Sequence, residues 1–547
     1  MLSTPPPSDP DPSPPPPLGL TALAPLRQPV FRALWLTWLM ANVSMWMNDV
    51  AAAWLMTSLT TSPVWVALVQ TAATLPVFLL GLPSGALADT LDRRRYFLGT
   101  QLWIALVALA LCVTVLLGGM SPPLLLALVF ANGIGLAMRW PVFAAIVPEL
   151  VPRQQLPQAL ALNGVSMNAS RIIGPLLAGA VIASLGSAYV FVLNALLALV
   201  SAVVIWRWRR VTPPNPLGRE PFWSAMRVGW QFVRQSSRLR VVFLHIALFF
   251  FHSTALMALL PLLALRMEGG NAGTFTLLLA TMGSGAIVSA MFLPRLRQNL
   301  DRDRIVLGGV ALQSLAMAVM AWAPSVAWAV PAMFLAGMAW ISTANSLSVS
   351  AQMVLPDWVR ARGMSMYQMA IMGGSASGAA FWGQVASWGD VHLSVGIAAA
   401  SGITATWLAQ RYAREQDPEE DLSPVRWTPP STLVQAGQGQ VMTTVEYRID
   451  PARTDDFLNL MRETRRSRLR LGALAWSLRQ DLENPGRFVE EIVDESWTEH
   501  LRRFDRVSGP DLALRDRRFA FHLGENPPDV RRFRLAPEVT PVRLPPS

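Results

Sequence analysis

Between Leu34 and Leu408 the sequence runs in apolar stretches of about 20 residues, and that repetition decides what the chain can fold into. A helix rises about 1.5 Å per residue, so about 20 residues cross a hydrocarbon core of about 30 Å. The predicted spans lie near 34–57, 64–87, 97–118, 121–142, 158–183 and 187–207, then 240–265, 272–295, 304–323, 325–348, 362–386 and 391–410. The separators are short and hold Pro, Gly or Arg, as tight bundle connections do. Composition closes the alternative of several soluble domains. Hydrophobic residues make up 52% and charged residues 15%, against roughly 25% charged in an average soluble domain.

Charge is placed rather than spread. The 45 basic residues are all arginine. They crowd every second connection: Arg93, Arg94 and Arg95; Arg153; Arg207, Arg209, Arg210 and Arg219; Arg295, Arg297, Arg302 and Arg304; Arg360 and Arg362. The alternate connections are uncharged, apart from Arg266 with Glu268 and Asp390 with His392. By the positive-inside rule this puts the basic loops and both termini in the cytoplasm of a multi-pass protein of the cell (inner) membrane. The net charge of +10 therefore needs no nucleic acid to explain it; the bilayer is the expected partner. The single cysteine, Cys112, rules out an intrachain disulfide and a CxxC metal site. Residues 1–17 are proline-rich without a basic region before an apolar run, so no secretory signal is expected there.

A shift of 204 residues aligns Pro152 with Pro356, Gly174 with Gly378 and Gly179 with Gly383. The fifth and eleventh spans thus read as copies, as in a transporter of two parallel six-helix halves. The expected organisation is a disordered tail at 1–30, a first half at 31–207, a cytoplasmic linker at 208–239, a second half at 240–412, a linker at 413–434, an α+β domain at 435–525 and a disordered tail at 526–547. In the α+β domain, residues 441–449 alternate as a strand, 451–466 form an amphipathic helix, 473–479 and 487–493 flank an Asn484-Pro485-Gly486 turn, and Thr498–Val507 is a second helix.

Several motifs resemble a known family. Gly85-Ala86-Leu87-Ala88-Asp89-Thr90-Leu91-Asp92-Arg93-Arg94-Arg95 is similar to the loop signature of the major facilitator superfamily, with Thr90 and Asp92 in place of the usual Arg and Gly. Arg171-Ile172-Ile173-Gly174-Pro175-Leu176-Leu177-Ala178-Gly179 looks like the glycine–proline signature of its exporters. Val147-Pro148-Glu149-Leu150-Val151-Pro152-Arg153, Ala161-Leu162-Asn163 and Trp46-Met47-Asn48-Asp49-Val50-Ala51 resemble the transmembrane secretion effectors, the subgroup that includes enterobactin exporters. Thr444–Pro451, Pro485–Glu490 and Glu495–His500 look like a ferredoxin-like domain of the antibiotic-biosynthesis-monooxygenase type. The resemblance implies the major facilitator fold and an export role, and leaves the cargo open.

Ionisable groups inside spans are costly and are functional candidates by default. Asp49 is the only acid well within a predicted span, and Asn42, Trp46 and Asp49 share a helix face. Asp49 could couple transport to protons, or could be held permanently by an arginine. Arg171 shares a face with Asn168 on the fifth span and could meet Asp49 in one state and an anionic substrate in another. Gly174, Pro175 and Gly179 would let another helix approach closely. His245 and His252, seven apart, could line the substrate cavity or simply pack. Gly85, Asp89, Arg93 and Arg94 are expected to form a conformational latch. No cofactor motif or nucleophile–base pair stands out, so no cofactor, no metal and no enzymatic activity are expected. The C-terminal domain, with Trp476, Trp497 and His500 as its candidate pocket residues, is expected to regulate or dimerise. A glycine-rich phosphate loop is absent, which argues against an ATP-driven pump. The function read from the sequence is a proton-coupled exporter of a small amphipathic molecule such as a siderophore or drug-like metabolite. A transporter–enzyme fusion and a membrane sensor are the alternatives.

Overall fold

The computed structural model describes residues 23–152, 155–208, 222–414, 425 and 439–535. Its body is a bundle of twelve helices of 20 to 32 residues. The first six are α1 (Pro29–Leu59), α2 (Pro63–Thr90), α3 (Arg93–Leu116), α4 (Pro122–Leu150), α5 (Leu156–Ser184) and α6 (Ser187–Arg207). A short amphipathic helix, α7 (Phe222–Gln235), precedes the second six: α8 (Ser237–Arg266), α9 (Ala272–Asn299), α10 (Arg302–Ala321), α11 (Val326–Val354), α12 (Asp357–Trp388) and α13 (Val391–Arg414). Ten of the twelve are apolar enough to span by hydropathy alone; α1 and α12 are not. α1 is diluted by Asn42, Asn48 and Asp49, and α12 by its run of Gly, Ser and Gln, yet both are as long as their neighbours and pack inside the bundle.

The two halves are built alike. In the first, α1 packs on α5 and α6, α2 on α4, and α3 on α6 and α4; in the second, α8 packs on α12 and α13, α9 on α11, and α10 on α13 and α11. The halves meet along two seams, α5 with α9 and α2 with α12. The glycines repeated at 204-residue spacing make these approaches possible. A Cβ on Gly174 would lie 2.5 Å from Trp46 Cβ on α1, and one on Gly378 would lie 2.2 Å from the Phe251 carbonyl on α8. Gly179 faces Thr276 on α9 at 2.3 Å, and Gly383 faces Ala67 on α2 at 2.5 Å. Each copy thus touches the first helix of its own half and the second helix of the other.

The C-terminal domain contains β1 (Val441–Arg448), α14 (Thr454–Arg470), β2 (Ala475–Gln480), β3 (Arg487–Asp494), α15 (Trp497–Asp505), α16 (Gly509–Phe519) and β4 (Asp529–Arg534). The sheet order is β2-β3-β1-β4, every pair antiparallel. This is the split βαβ arrangement. Val445, Tyr447, Phe457, Met461 and Phe488 form its apolar core.

Several expectations change. The tail predicted as disordered at 526–547 contains β4, whose backbone completes the ladder of β1. Within the predicted tail at 1–30, Ala24–Arg27 form a 3-10 turn and α1 begins at Pro29, while 1–22 lie outside the described residues. The linker at 208–239 includes α7 and the start of α8. Most of the 413–434 linker lies outside the described residues.

α7 also seats the C-terminal domain. Its Val228 and Phe232 are buried, and Phe232 meets Trp358 of α12 edge-on at 5.5 Å. On its other side, Arg227 pairs with Glu495 at 2.8 Å and Val228 packs on Gly472. Gly472 has φ +111°, and a Cβ there would lie 2.6 Å from Arg506 Nη1 and 3.2 Å from Val228, so both backbone and space require glycine. The Arg506 guanidinium stacks over Trp358 at 4.8 Å, which ties the soluble domain directly to α12.

Candidate functional site

Trp38, Asn42, Trp46 and Asp49 recur on α1 at the i, i+4, i+8, i+11 spacing of one helix face. Two arginines from other helices reach that face. Arg171 of α5 lies over the Trp46 ring at 5.4 Å, brought there by the close approach at Gly174 one turn on. Arg139 of α4 lies over Trp38 at 5.3 Å and donates to the Ala41 carbonyl at 3.2 Å and to Asn42 Oδ1 at 3.5 Å. Arg139 is 1% exposed. Neither arginine forms an ion pair, and Asp49 makes neither a hydrogen bond nor an ion pair among the described residues. The predicted pairing of Asp49 with Arg171 is thus not formed here.

Arg139 is the residue that sequence reasoning missed. The fourth span is predicted to close at 142, which puts Arg139 three residues from its end. In the fold α4 runs on to Leu150, which leaves Arg139 inside the bundle beneath Trp38. An arginine three residues short of a predicted boundary, followed by more apolar sequence, was the available signal.

The other predicted cavity residues scatter. Asn168 spends its amide on the Gly164 carbonyl of its own helix at 2.9 Å. His245 and His252 each engage a carbonyl four residues back, Val241 at 2.9 Å and Leu248 at 2.8 Å. His252 lies against Gly402 of α13 and the rings of Phe251 and Trp382. A separate apolar cavity of about 610 Å³ lies on the α2–α12 seam, lined by Thr71, Phe78, Leu248, Phe251, Gly374 and Ser377 among others. Thr71 donates to the Ala376 carbonyl at 2.9 Å and so bridges the two halves at this cavity.

The predicted latch turn is mostly helix. Gly85 and Asp89 belong to the last turns of α2, with side chains outside the described residues, and only Leu91 and Asp92 connect to α3. Asp92 caps α3 by accepting from the Arg95 amide at 2.9 Å. Arg93 pairs with Glu149 of α4 at 2.6 Å, and Arg94 donates to the carbonyls of Ile205 and Trp206 at the end of α6. These arginines hold three helix ends of the first half together. At the opposite end of the bundle Arg266 pairs with Asp390, whose carboxyl is held below its usual range: burial raises it, but the Arg266 guanidinium outweighs that.

In the C-terminal domain the buried carboxylates are paired. Glu490 accepts from Tyr447 at 2.9 Å, Arg468 at 3.0 Å and Trp476 at 3.0 Å. Burial pushes its carboxyl up, but Arg468 and Arg518 more than reverse this and bring it to about 2. His500 Nδ1 meets Asp494 at 2.6 Å, and its Nε2 accepts from Arg532 at 3.3 Å. Trp497 lies tilted over the His500 ring at 5.1 Å. Trp476 and His500, expected beside a pocket, are fully engaged in this network, which leaves no ring nitrogen of His500 for a substrate. No group of three or more His, Cys, Asp or Glu among the described residues is arranged to hold a metal.

A family model described as transmembrane secretion effector matches residues 20–538. The chain belongs to this family. Among curated relatives, the enterobactin exporter EntS of Salmonella typhimurium is 26% identical over 377 residues, covering 68% of this chain and 89% of that protein. The staphyloferrin A transporter of Staphylococcus aureus is 22% identical over 254 residues, covering 46% and 63%. Macrolide efflux protein A of Enterococcus faecalis is 21% identical over 256 residues, covering 46% of this chain and 78% of that protein. Solved structures show the same bundle: the nucleoside transporter NupG (D323A mutant) at TM-score 0.59 and 11% identity, over 70% of this chain and 99% of that one. A POT family transporter in complex with 5-aminolevulinic acid follows at TM-score 0.60 and 13% identity, over 70% and 96%. The secretion effector is thus a multi-pass membrane protein of the major facilitator fold, in a family of exporters.

Proposed function

We propose that this secretion effector is a proton-coupled exporter of a small amphipathic molecule, a siderophore or drug-like metabolite, working from a cytoplasm that holds both termini and the C-terminal domain. The observation that carries the reading is Asp49: the only acid well inside the spans, unpaired, on the α1 face that receives Arg139 and Arg171. A carboxyl without a fixed partner can take up a proton when one face is open and release it when the other is. A carboxylate locked to an arginine could not do so at the same sites. The relatives named as an enterobactin exporter and a macrolide efflux protein support the direction, and these two with the staphyloferrin A transporter support the amphipathic cargo.

The two halves rock about the α5–α9 and α2–α12 seams, where glycine contacts allow close approach without interlocking side chains. The Arg93–Glu149 pair and the Asp92 cap hold the arginine-rich end of the first half as one body during that motion. The C-terminal domain is read as a docked regulatory module, since His500 and Glu490 are consumed by internal pairs; a second copy of the chain remains a candidate partner for it.

The test is counterflow in proteoliposomes under an imposed pH gradient, with a panel of siderophores and drugs. Gradient-dependent flux in the wild type that Asp49→Asn abolishes is the expected result. Equal flux in both proteins with and without the gradient would defeat proton coupling through Asp49.

A further inference from the structure

We propose that Arg139, with Asn42, Trp46 and Arg171, forms an anion-binding site in the first half, and that the transported molecule carries a negatively charged, acceptor-rich group that seats there. This rests on the transport reading above, and it names a class of cargo that the reading leaves open.

The argument is one of unmatched donors. On the α1 face, Nδ2 of Asn42, Nε1 of Trp46, Nε of Arg139 and Nε of Arg171 are all buried without a hydrogen-bond partner. All four atoms donate and none accepts. The acceptors nearby are already used, Ala41 O and Asn42 Oδ1 by Arg139 itself. Two further unpartnered atoms, Asn163 Oδ1 and Ser166 Oγ on α5, do not bond to these donors. A buried polar group left without a partner is costly, and more so when charged, and here four donors gather at one α1 face. An acceptor-bearing ligand would relieve all of them at once.

Charge points the same way. The spans of the first half enclose the guanidiniums of Arg139 and Arg171 against the single carboxylate of Asp49. Among the described residues no carboxylate pairs with either guanidinium in this low-dielectric interior. Both guanidiniums lie over indole rings, and Nε of each is left without an acceptor. Asn42 and Trp46 mark their two levels on α1, one turn and about 6 Å apart along the helix. The matching ligand is an organic anion with two oxygen acceptors separated by about that distance: a hydroxy acid, a phenolate acid or a dicarboxylate.

The experiment measures binding, so that it can fail independently of transport. Full-length protein in zwitterionic lipid nanodiscs is titrated with radiolabelled isophthalate, with citrate and with benzoate; dimethyl isophthalate serves as the uncharged competitor. The expected result is saturable binding of isophthalate or citrate with benzoate weaker, no competition by the ester, at least a tenfold weaker affinity in Arg139→Gln and an intermediate one in Arg139→Lys. Saturable anion binding should also raise the Tm of the wild type, a readout that holds if Arg139→Gln does not fold. Equal competition by the ester, unchanged affinity in Arg139→Gln, or no saturable binding of any of the three overturns the site. Binding that survives alongside absent counterflow would sink the transport reading and leave the anion site standing.

Discussion

The membrane bundle and the C-terminal domain both bury charge, and they treat it in opposite ways. In the domain, Glu490 is fully buried yet accepts three hydrogen bonds, Asp494 is held between His500 and Arg503, and Arg470 pairs with Asp511 at 2.7 Å. In the first half of the bundle, Asp49 on α1, Arg139 on α4 and Arg171 on α5 form no ion pair among the described residues. A paired buried charge is costly to break and suits a part that must keep one shape. An unpaired one raises the energy of the resting state and lowers that of whatever arrives to neutralise it, which suits a part that binds and releases. The contrast teaches that burial by itself does not mark a working residue.

The comparison breaks most visibly at Asp49. Asp49→Asn should reduce gradient-driven flux to the level of empty vesicles while leaving the Tm of the bundle unchanged or higher, because no partner is stranded. A fall in Tm comparable to that of a broken ion pair would mean Asp49 is structural after all. Glu490→Gln is the opposite test. It strands Arg468 in the domain interior and should cost about 3–5 kcal/mol of local stability, read as lost hydrogen-exchange protection in β3 and α14. Transport in that variant falls only as far as the docking of the domain on α7 and α12 matters.

The seams come next. Gly378→Val places side-chain carbons into the Phe251 carbonyl, where even a Cβ would lie at 2.2 Å, and should destabilise by about 1–3 kcal/mol or more. Gly164→Val, on the same α5 as Gly174 but with nothing within 4 Å of its Cβ position, should leave the Tm unchanged. Matching losses in both would show that helix propensity rather than close packing governs these sites.

Acidification separates the two regions by sign. The folded carboxyl of Glu490 is depressed to about 2, and those of Asp494 and Asp511 are depressed as well. Burial works against all three; the arginines beside them prevail. Groups depressed in the folded state contribute stability that is complete above their unfolded values of about 4 to 4.5 and is lost as pH falls towards the folded ones. Hydrogen exchange on the full chain should therefore show the domain loosening from about pH 4.5 downward, with the bundle protected for longer. Domain protection that is flat to pH 3 would contradict the ladder. The smallest effect belongs to Arg93→Gln: its pair with Glu149 is about one-fifth exposed, so the loss in Tm should correspond to about 1 kcal/mol or less.

Much of this was legible in the sequence for a physical reason. A bilayer imposes one length and one polarity on every span, so hydropathy alone locates the helices, and arginine placement marks alternate ends. The 204-residue repeat was readable because close helix approach tolerates only small residues, and the glycines at 174, 179, 378 and 383 keep the same neighbours in both halves. The first three strands were readable from their alternation. β4 was not: Asp-Val-Arg-Arg-Phe-Arg has mostly exposed side chains on both faces, and its place comes from pairing with β1 rather than from any apolar pattern. α7 was hidden for a related reason, since its apolar face is satisfied by α12 and by the C-terminal domain, far away in sequence.

Local chemistry thus determined the spans, their count and the identity of Asp49 and Arg171 as candidates. Only the tertiary structure decided which of the buried charges have partners. It placed Arg139 under Trp38, and locked His500 and Glu490 into pairs. Pairing depends on which helices and strands meet, and one residue's neighbours in sequence carry no record of its neighbours across the fold.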